Sequence, residues 1–414
     1  MTNLRALLAI RHSEYVIDSS FWFRRSDLRL GHSISTPRKA IHMSDELYRP
    51  GLEGVIAGES GVSTVQGGLT YRGYAVEELA ERSTYEEVAY LILYGELPKA
   101  GELKSFAQRL AGQAAVPAPV IEMLRHIPNT APLMDVMRSG ASYLGHFESD
   151  LDDTSHEANL RRAERLLARL PTVLAAKHRL RQGKEPVAPD KHRSLPANLL
   201  WMISRQEPSP ALVRALDVSL ILYAEHEFNA STFTARVICS TMSDIYSSVT
   251  GAIGALKGPL HGGANERAME VLNEVGSANN AEPWVRKALA EKRRIMGFGH
   301  RVYKHGDPRA AIMKPLCTEL AQETGETAME TIAETIERAV KEEKGLLPNV
   351  DWPCARLYYY MGLPIDLYTP LFVVARVAGW AAHYMEQAGA NRLIRPLSRY
   401  TGAERRAWLP IEKR

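Results

Sequence analysis

Gly297-Phe298-Gly299-His300-Arg301-Val302-Tyr303-Lys304-His305-Gly306-Asp307-Pro308-Arg309 is the stretch from which the rest of this chain is read. Glycines at 297 and 299 let the backbone approach a ligand where a side chain would block it. His300 supplies a donor that can also titrate, and Arg309 supplies a planar fork shaped for a carboxylate. The run therefore points to chemistry on a small molecule that bears carboxylates. The tripeptide Gly299-His300-Arg301 alone would read as an ordinary basic loop; the thirteen residues together are far more specific.

Four further segments join it in order along the chain. They are Ala224-Glu225-His226-Glu227-Phe228-Asn229-Ala230-Ser231-Thr232, Leu256-Lys257-Gly258-Pro259-Leu260-His261-Gly262-Gly263-Ala264-Asn265-Glu266-Arg267-Ala268, Pro348-Asn349-Val350-Asp351-Trp352 and Asn391-Arg392-Leu393-Ile394-Arg395-Pro396. With these five motifs the chain resembles the citrate synthases and the closely related 2-methylcitrate synthases, from about residue 44 to about 402.

The whole chain sets bounds of its own. Its 414 residues are enough for a large core and two lobes. With 45% hydrophobic and 24% charged residues it has the composition of a globular protein. A net charge of +3 suits anionic small molecules, but no dense basic stripe of the kind nucleic-acid binding needs is present. No run of eighteen apolar residues occurs, so no membrane-spanning helix is expected. Cys239, Cys317 and Cys354 are odd in number and far apart, forming neither a disulfide framework nor a metal site. That fits a reducing compartment such as the cytoplasm.

Residues 1–43 read as an extension outside the resemblance. Up to residue 42 they carry seven basic residues against three acidic ones, with the aromatic cluster Phe21-Trp22-Phe23, and Met43 sits where a shorter protein would start. A disordered or mis-assigned extension is the expectation. A leader, which would place the protein in the mitochondrial matrix, is the alternative.

The fold class read from the chain is mainly α. Segments around 52–74 suggest a small antiparallel hairpin. Ser83-Thr84-Tyr85-Glu86 reads as a capping box opening a helix that Gly95 and Pro98 stop. Residues 159–182 form a long helical pattern with a kink or break expected at Pro171. Helical periodicity also marks 209–250 and 328–345, and residues 183–196 read as an exposed loop. No strands alternate with helices, which argues against a parallel α/β sheet. The resemblance implies a large helical domain from 44 to 262, a small helical domain from 263 to 362, and a return to the large domain with a C-terminal arm from 363 to 414.

The resemblance also implies a reaction: Claisen-type condensation of acetyl-CoA with oxaloacetate, then hydrolysis of the thioester. Removing a weakly acidic proton beside a thioester needs a carboxylate base and a donor for the enolate oxygen. Asp351 matches the family's base, although an Asp after Asn-Val on its own reads as a helix N-cap. His261 matches the donor, and a neutral imidazole near a helix start suits an enolate better than a cation does. His300 would polarise the ketone of oxaloacetate. His226, His300, Arg309, Arg376 and Arg395 would hold its carboxylates, a task that fits arginine's fork. Arg376 lies in so apolar a run that an anionic partner is needed. Arg395 is implied to reach the site of a partner subunit in a homodimer. For CoA the resemblance points to Gly297, Phe298 and Gly299, with Lys257, Arg301 and Lys304 as phosphate contacts. Acyl-CoA is a co-substrate, and neither a metal nor a tightly bound cofactor is expected.

Trp352-Pro353-Cys354-Ala355 resembles the 2-methylcitrate group and borders the region expected for the acyl chain, which keeps propionyl-CoA in play. A pocket distinguishes one methylene by only about 1–3 kcal/mol. Glu225-His226-Glu227 lacks the second histidine of a zinc helix, since position 230 is Ala. Gly251–Gly258 lacks the ending of a phosphate-cradling loop, and Asp150-Leu151-Asp152-Asp153 has no second acidic cluster to face it. A non-catalytic scaffold paralogue would have lost catalytic side chains that this chain keeps.

Overall fold

Helix boundaries follow the residues able to cap them. The computed structural model describes residues 48–414 apart from Arg301 and Lys304, so the leader question lies outside the described residues. A 3-10 turn covers Pro50–Leu52, and Gly54 takes a φ of +74° that no strand tolerates. The expected first arm of a hairpin is therefore irregular. Three two-residue strands form instead at β1 Ser63–Thr64, β2 Thr70–Tyr71 and β3 Tyr74–Ala75, antiparallel and in that order, with Tyr71 opposite both Ser63 and Tyr74.

Sixteen helices follow among the described residues. The first ten are α1 Val76–Arg82, α2 Tyr85–Tyr94, α3 Ala100–Gln113, α4 Ala118–His126, α5 Leu133–Leu144, α6 His156–Arg181, α7 Leu195–Ser204, α8 Pro210–Tyr223, α9 Ala230–Ser240 and α10 Ile245–Leu256. Then come α11 Ala264–Val275, α12 Ala278–Ala290, α13 Pro308–Thr324, α14 Thr327–Lys344, α15 Asp351–Tyr360 and α16 Tyr368–Gly389. Ser155, Ser194, Ser209, Asn229 and Asp244 each accept a backbone N–H at the start of α6, α7, α8, α9 and α10, satisfying donors that the helices leave free.

The capping box at α2 sits one residue later than the sequence pattern suggested. Thr84 is the cap and Glu87 its partner, with the Thr84 amide donating to Glu87 at 2.7 Å. Both pairs fit the spacing. Glu86 instead turns inward, accepts the Leu195 amide at 2.6 Å, and is pushed up to about 7 by burial. Gly95 ends α2 in the left-handed conformation, as expected. Helix α6 runs through Pro171 as one element of 26 residues rather than breaking. Its flanks Leu170, Thr172 and Val173 are all buried, and that packing outweighs the local loss, roughly 3 kcal/mol, that an interior proline costs.

At the centre lies α16, with every residue from Tyr368 to Met385 buried. It is the one helix among the described residues long and apolar enough to cross a membrane, and it is instead apolar all round because α2, α5, α6, α8, α9 and α10 surround it. Helices α11 to α15 pack chiefly on one another, while α13 also touches α1 and α8. The turns where these two groups of helices meet build the site.

Candidate active site

A cavity of about 990 Å³ opens between the α8–α9 turn, the α10–α11 turn, the 295–302 segment, the starts of α13 and α15, and α16. His226, His261, His300, Arg309, Asp351 and Arg376 all line it, together with Gly297, Phe298 and Gly299. Residues more than a hundred positions apart in sequence thus face one space.

The glycine motif and the Asp351 segment are laced together. The Asn349 amide donates to the Gly297 carbonyl at 2.9 Å, the Gly299 amide donates to Leu347 at 2.9 Å, and the Asn349 side chain donates to the Gly299 carbonyl at 2.9 Å. Asn349 Oδ1 in turn accepts the Asp351 amide at 3.0 Å. Gly297 has a φ of +88°, and a Cβ there would come within 2.8 Å of Trp352. Only glycine fits.

Asp351 is the first residue of α15, and its carboxylate accepts the Tyr223 hydroxyl at 2.7 Å. Burial pushes its pKa up to about 6, against the opposing pull of Tyr223 and Arg309. A carboxylate raised towards neutrality but still ionised at pH 7 is suited to removing a proton from carbon.

His261 lies one turn ahead of α11. Its Nε2 sits 2.9 Å from the Ser231 hydroxyl and 3.3 Å from the Ser231 amide. An amide can only donate, so Nε2 carries the lone pair and the ring proton is on Nδ1. Burial and then Arg376 push His261 down to about 4, so the ring is neutral and donates a single N–H. His226 is held well below the usual range by burial, then by Arg309, Arg376 and His300. Its Nε2 lies 3.1 Å from the Tyr303 hydroxyl, and its ring meets His300 edge-on at 5.3 Å.

Two buried arginines supply positive charge. Arg309 is engaged by Asp307 through Nε at 2.9 Å and Nη2 at 2.8 Å, and Asp307 also accepts the Val350 amide at 3.0 Å. That pairing overcomes burial and keeps Arg309 above the ordinary arginine range. Arg376 donates through Nε to the Tyr223 carbonyl at 2.6 Å and stacks over Phe372. Burial pulls it below the ordinary range, with Glu225 the leading opposing charge. Both cations border the cavity beside the histidines, as a dicarboxylate would require.

Some expected residues lie elsewhere. Lys257 is committed to Asp135, 2.7 Å from each carboxylate oxygen, and does not line the cavity. Lys257 caps the end of α10, where its side chain reaches α5 instead. Arg395 lies on the exposed tail after α16 and is not among the lining residues. Arg301 and Lys304 fall outside the described residues. Trp352 does not border the cavity either: it is fully buried behind the Gly297 turn, 4.7 Å from the Phe298 ring, and donates to Glu337 at 3.0 Å. It follows Asp351 on a helix, and successive helical side chains diverge by about 100°.

Sequence reading did not single out Tyr223, Ser231, Tyr303 or Asp307, each of which contacts a site residue. Arg294 and Lys344 also line the cavity near the glycine turn. The basic run Lys292-Arg293-Arg294 just before the motif was a readable signal; Arg293 itself pairs with Glu274 at 2.6 Å.

A raised carboxylate, two neutral histidines and two buried arginines surround one cavity, a set of the kind suited to taking a proton from carbon beside an anion. Residues 51–397 match the family model described as citrate synthase, C-terminal domain. Citrate synthase 2 of Bacillus subtilis (strain 168) is 48% identical over 367 residues, covering 88% of this chain and 98% of the relative. The 2-methylcitrate synthase 2 of Corynebacterium glutamicum is 48% identical over 374 residues, with 88% and 98% covered. Among solved structures, citrate synthase from Thermotoga maritima MSB8 superposes with a TM-score of 0.79 at 41% identity, covering 88% of this chain and 98% of that one. The ternary complex of carboxymethyl coenzyme A and oxaloacetate with citrate synthase from Thermoplasma acidophilum gives 0.84 at 33% identity, with 88% and 99% covered. This chain belongs to the citrate synthase family.

Proposed function

We propose that this chain condenses acetyl-CoA with oxaloacetate and hydrolyses the resulting thioester, giving citrate and CoA. The observation that carries the proposal is Asp351 and His261 bordering the same cavity as His226, His300, Arg309 and Arg376. Asp351 takes a proton from the methyl carbon of the thioester. His261 donates its Nδ1–H to the enolate oxygen as it forms. The enolate carbon then attacks the ketone carbon of oxaloacetate, whose oxygen receives a proton from His300. His226, Arg309 and Arg376 hold the carboxylates. Water hydrolyses the thioester and frees the CoA thiol. No step calls for a metal. Backbone groups of the Gly297–Gly299 turn, with Arg294 and Lys344 nearby, are the proposed CoA contacts.

A second reading, 2-methylcitrate synthesis from propionyl-CoA, has its own support: relatives of both names are equally similar to this chain. Because Trp352 stands away from the cavity, acyl length would be chosen by lining residues such as Val350, Tyr223, which donates to Asp351, and Phe372, whose ring lies 4.2 Å from that of Tyr223. Thiol release with oxaloacetate and either acyl-CoA tests both. Faster acetyl-CoA turnover supports the first reading, a propionyl preference the second, and release with neither would leave a non-catalytic paralogue.

The proposed protein is a cytoplasmic homodimer in which Arg395 completes the neighbouring site. Residues 391–400 carry no regular structure and leave Leu397 and Tyr400 exposed, surface that a second subunit would cover. Residues 263–362 are proposed to close over bound oxaloacetate as a small domain. Light scattering gives the first; small-angle scattering that shows no compaction on adding oxaloacetate would count against the second.

A further inference from the structure

Behind His226 lies a fully buried pair that the mechanism above does not use. Glu225 and His383 are both wholly inaccessible, with His383 Nε2 3.0 Å from Glu225 Oε1. On its other side the imidazole meets Arg236, whose Nη1 is 3.0 Å from Nδ1. A guanidinium can only donate, so Nδ1 holds the lone pair and Nε2–H points at Glu225. Arg236 is fixed in turn by Glu386 at 2.6 Å and by the face of Phe228 at 4.6 Å.

The relay continues towards the site. Ser63 on β1 donates to the same Glu225 oxygen at 3.1 Å, and its hydroxyl accepts the Glu227 amide at 2.9 Å. Glu227 adopts a φ of +52°, a conformation that side chains disfavour, and its carboxylate accepts the Val65 amide at 2.8 Å. Tyr71 donates to the Glu225 carbonyl at 3.1 Å. Contacts from β1, β2 and α16 thus clamp the residues on both sides of His226, whose ring faces the cavity. The space is tight as well: a Cβ on Gly379 would come within 2.1 Å of Glu225 Oε2. That second oxygen has no hydrogen-bond partner among the described residues. Burial favours the neutral acid, but His383 and Arg376 outweigh it and hold Glu225 below the usual carboxylate range. It therefore remains a fixed negative charge behind Arg376.

We propose that the Glu225–His383 pair, backed by Arg236 and locked to Ser63, is the positioning element that holds His226 and balances Arg376 for oxaloacetate. Both act on the dicarboxylate end of the cavity, so the inference rests on the functional reading above and names a residue set beyond it. The cost of leaving such a relay half-made falls on the turn, because a buried carboxylate without its donors repels its surroundings.

The test uses the full chain, with His383→Leu, His383→Gln and Ser63→Ala. Glutamine places an N–H where Nε2 was, whereas leucine fills the space and donates nothing. His383→Leu should weaken calorimetric oxaloacetate binding and raise its KM by about tenfold or more, with the acyl-CoA KM moving less than about twofold. His383→Gln should recover most of the loss, and Ser63→Ala should lose a few fold. Equal changes for both substrates, or oxaloacetate affinity unchanged in Ser63→Ala and unrescued in His383→Gln, would show a merely structural pair and overturn the inference. Should His383→Leu fail to fold, Ser63→Ala and His383→Gln decide alone. Oxaloacetate that does not bind the unaltered chain would sink the functional reading and this inference with it. Binding and thiol release that persist unchanged in the variants would sink only the inference.

Discussion

The Tyr223 hydroxyl stands 2.7 Å from Oδ1 of Asp351 and donates to it, while the Tyr223 carbonyl accepts the Arg376 side chain at 2.6 Å. One residue at the end of α8 therefore touches both the proposed base and a proposed anion site. The hydroxyl stabilises the charged carboxylate, opposing the burial that lifts Asp351 to about 6.

Tyr223→Phe removes that donor and should raise the Asp351 pKa further. The base works as a carboxylate, so activity is present above its pKa and lost as pH falls through it. The acid limb of kcat/KM should move up by about one pH unit, the size expected of a hydrogen bond to a charged group. A profile of thiol release from pH 5 to 9 checks it; an unmoved limb would remove Asp351 from the role of titrating base.

Asp351→Asn keeps the shape and removes the base. General-base catalysis contributes about 10²- to 10⁴-fold, and kcat should fall within that range. Oxaloacetate binding measured by calorimetry should change little, because the carboxylates are assigned to Arg309, Arg376 and His226.

Arg376→Lys keeps a positive charge but loses the fork and the bond to the Tyr223 carbonyl. The oxaloacetate KM should rise by about tenfold or more, since a lysine cannot pair bidentately. The acyl-CoA KM should stay nearly constant. Comparable rises in both would argue that Arg376 serves the fold rather than the anion.

Glu86 offers a test of stability away from the site. Its carboxyl moves from an unfolded value of 4.5 to about 7 through burial. A raised acid favours the protonated folded state, so stability is fullest below the unfolded value and erodes as pH rises from 4.5 to 7. The penalty above that window is about 3 kcal/mol at most. Glu86→Gln keeps an acceptor for the Leu195 amide without the charge, so it should raise Tm at pH 8 and leave it nearly unchanged at pH 5. Thermal melts at the two pH values check the difference.

The mainly helical fold and the cavity-lining His226, His261, His300, Arg309 and Asp351 were legible because they stand on motifs, most of which combine a chemically distinctive side chain with backbone-shaping glycine or proline; Arg376 was legible as a charge in an apolar run. Tyr223 and Ser231 were not. A tyrosine ending an apolar helix and a serine after an N-cap have ordinary local explanations, and only tertiary proximity joins them to Asp351 and His261. Lys257 shows the converse: its place in a motif says nothing of Asp135, 122 residues away, with which its ammonium pairs. Helix α6 likewise continues through Pro171 without a break because packing decides what local propensity leaves open.

Trp352 carries the sharpest divergence between the two levels. Its place beside Asp351 makes it look like a selector of acyl length, yet its ring packs against Gly297 and Phe298 and its N–H is spent on Glu337. Trp352→Phe would lose that bond and part of the packing behind the CoA turn, a cost of about 1–3 kcal/mol for a buried group left unpaired. Tm should therefore fall and the acyl-CoA KM rise for both thioesters together. The ratio of acetyl-CoA to propionyl-CoA turnover should stay within about twofold, because distinguishing one methylene takes contact with the chain itself. Competing the two thioesters in one reaction and weighing the products by mass spectrometry measures that ratio directly. A large shift would mean that the tryptophan reaches the acyl group when the site is loaded; a constant ratio leaves the choice to residues such as Tyr223, Val350 and Phe372, which line the same cavity as Asp351.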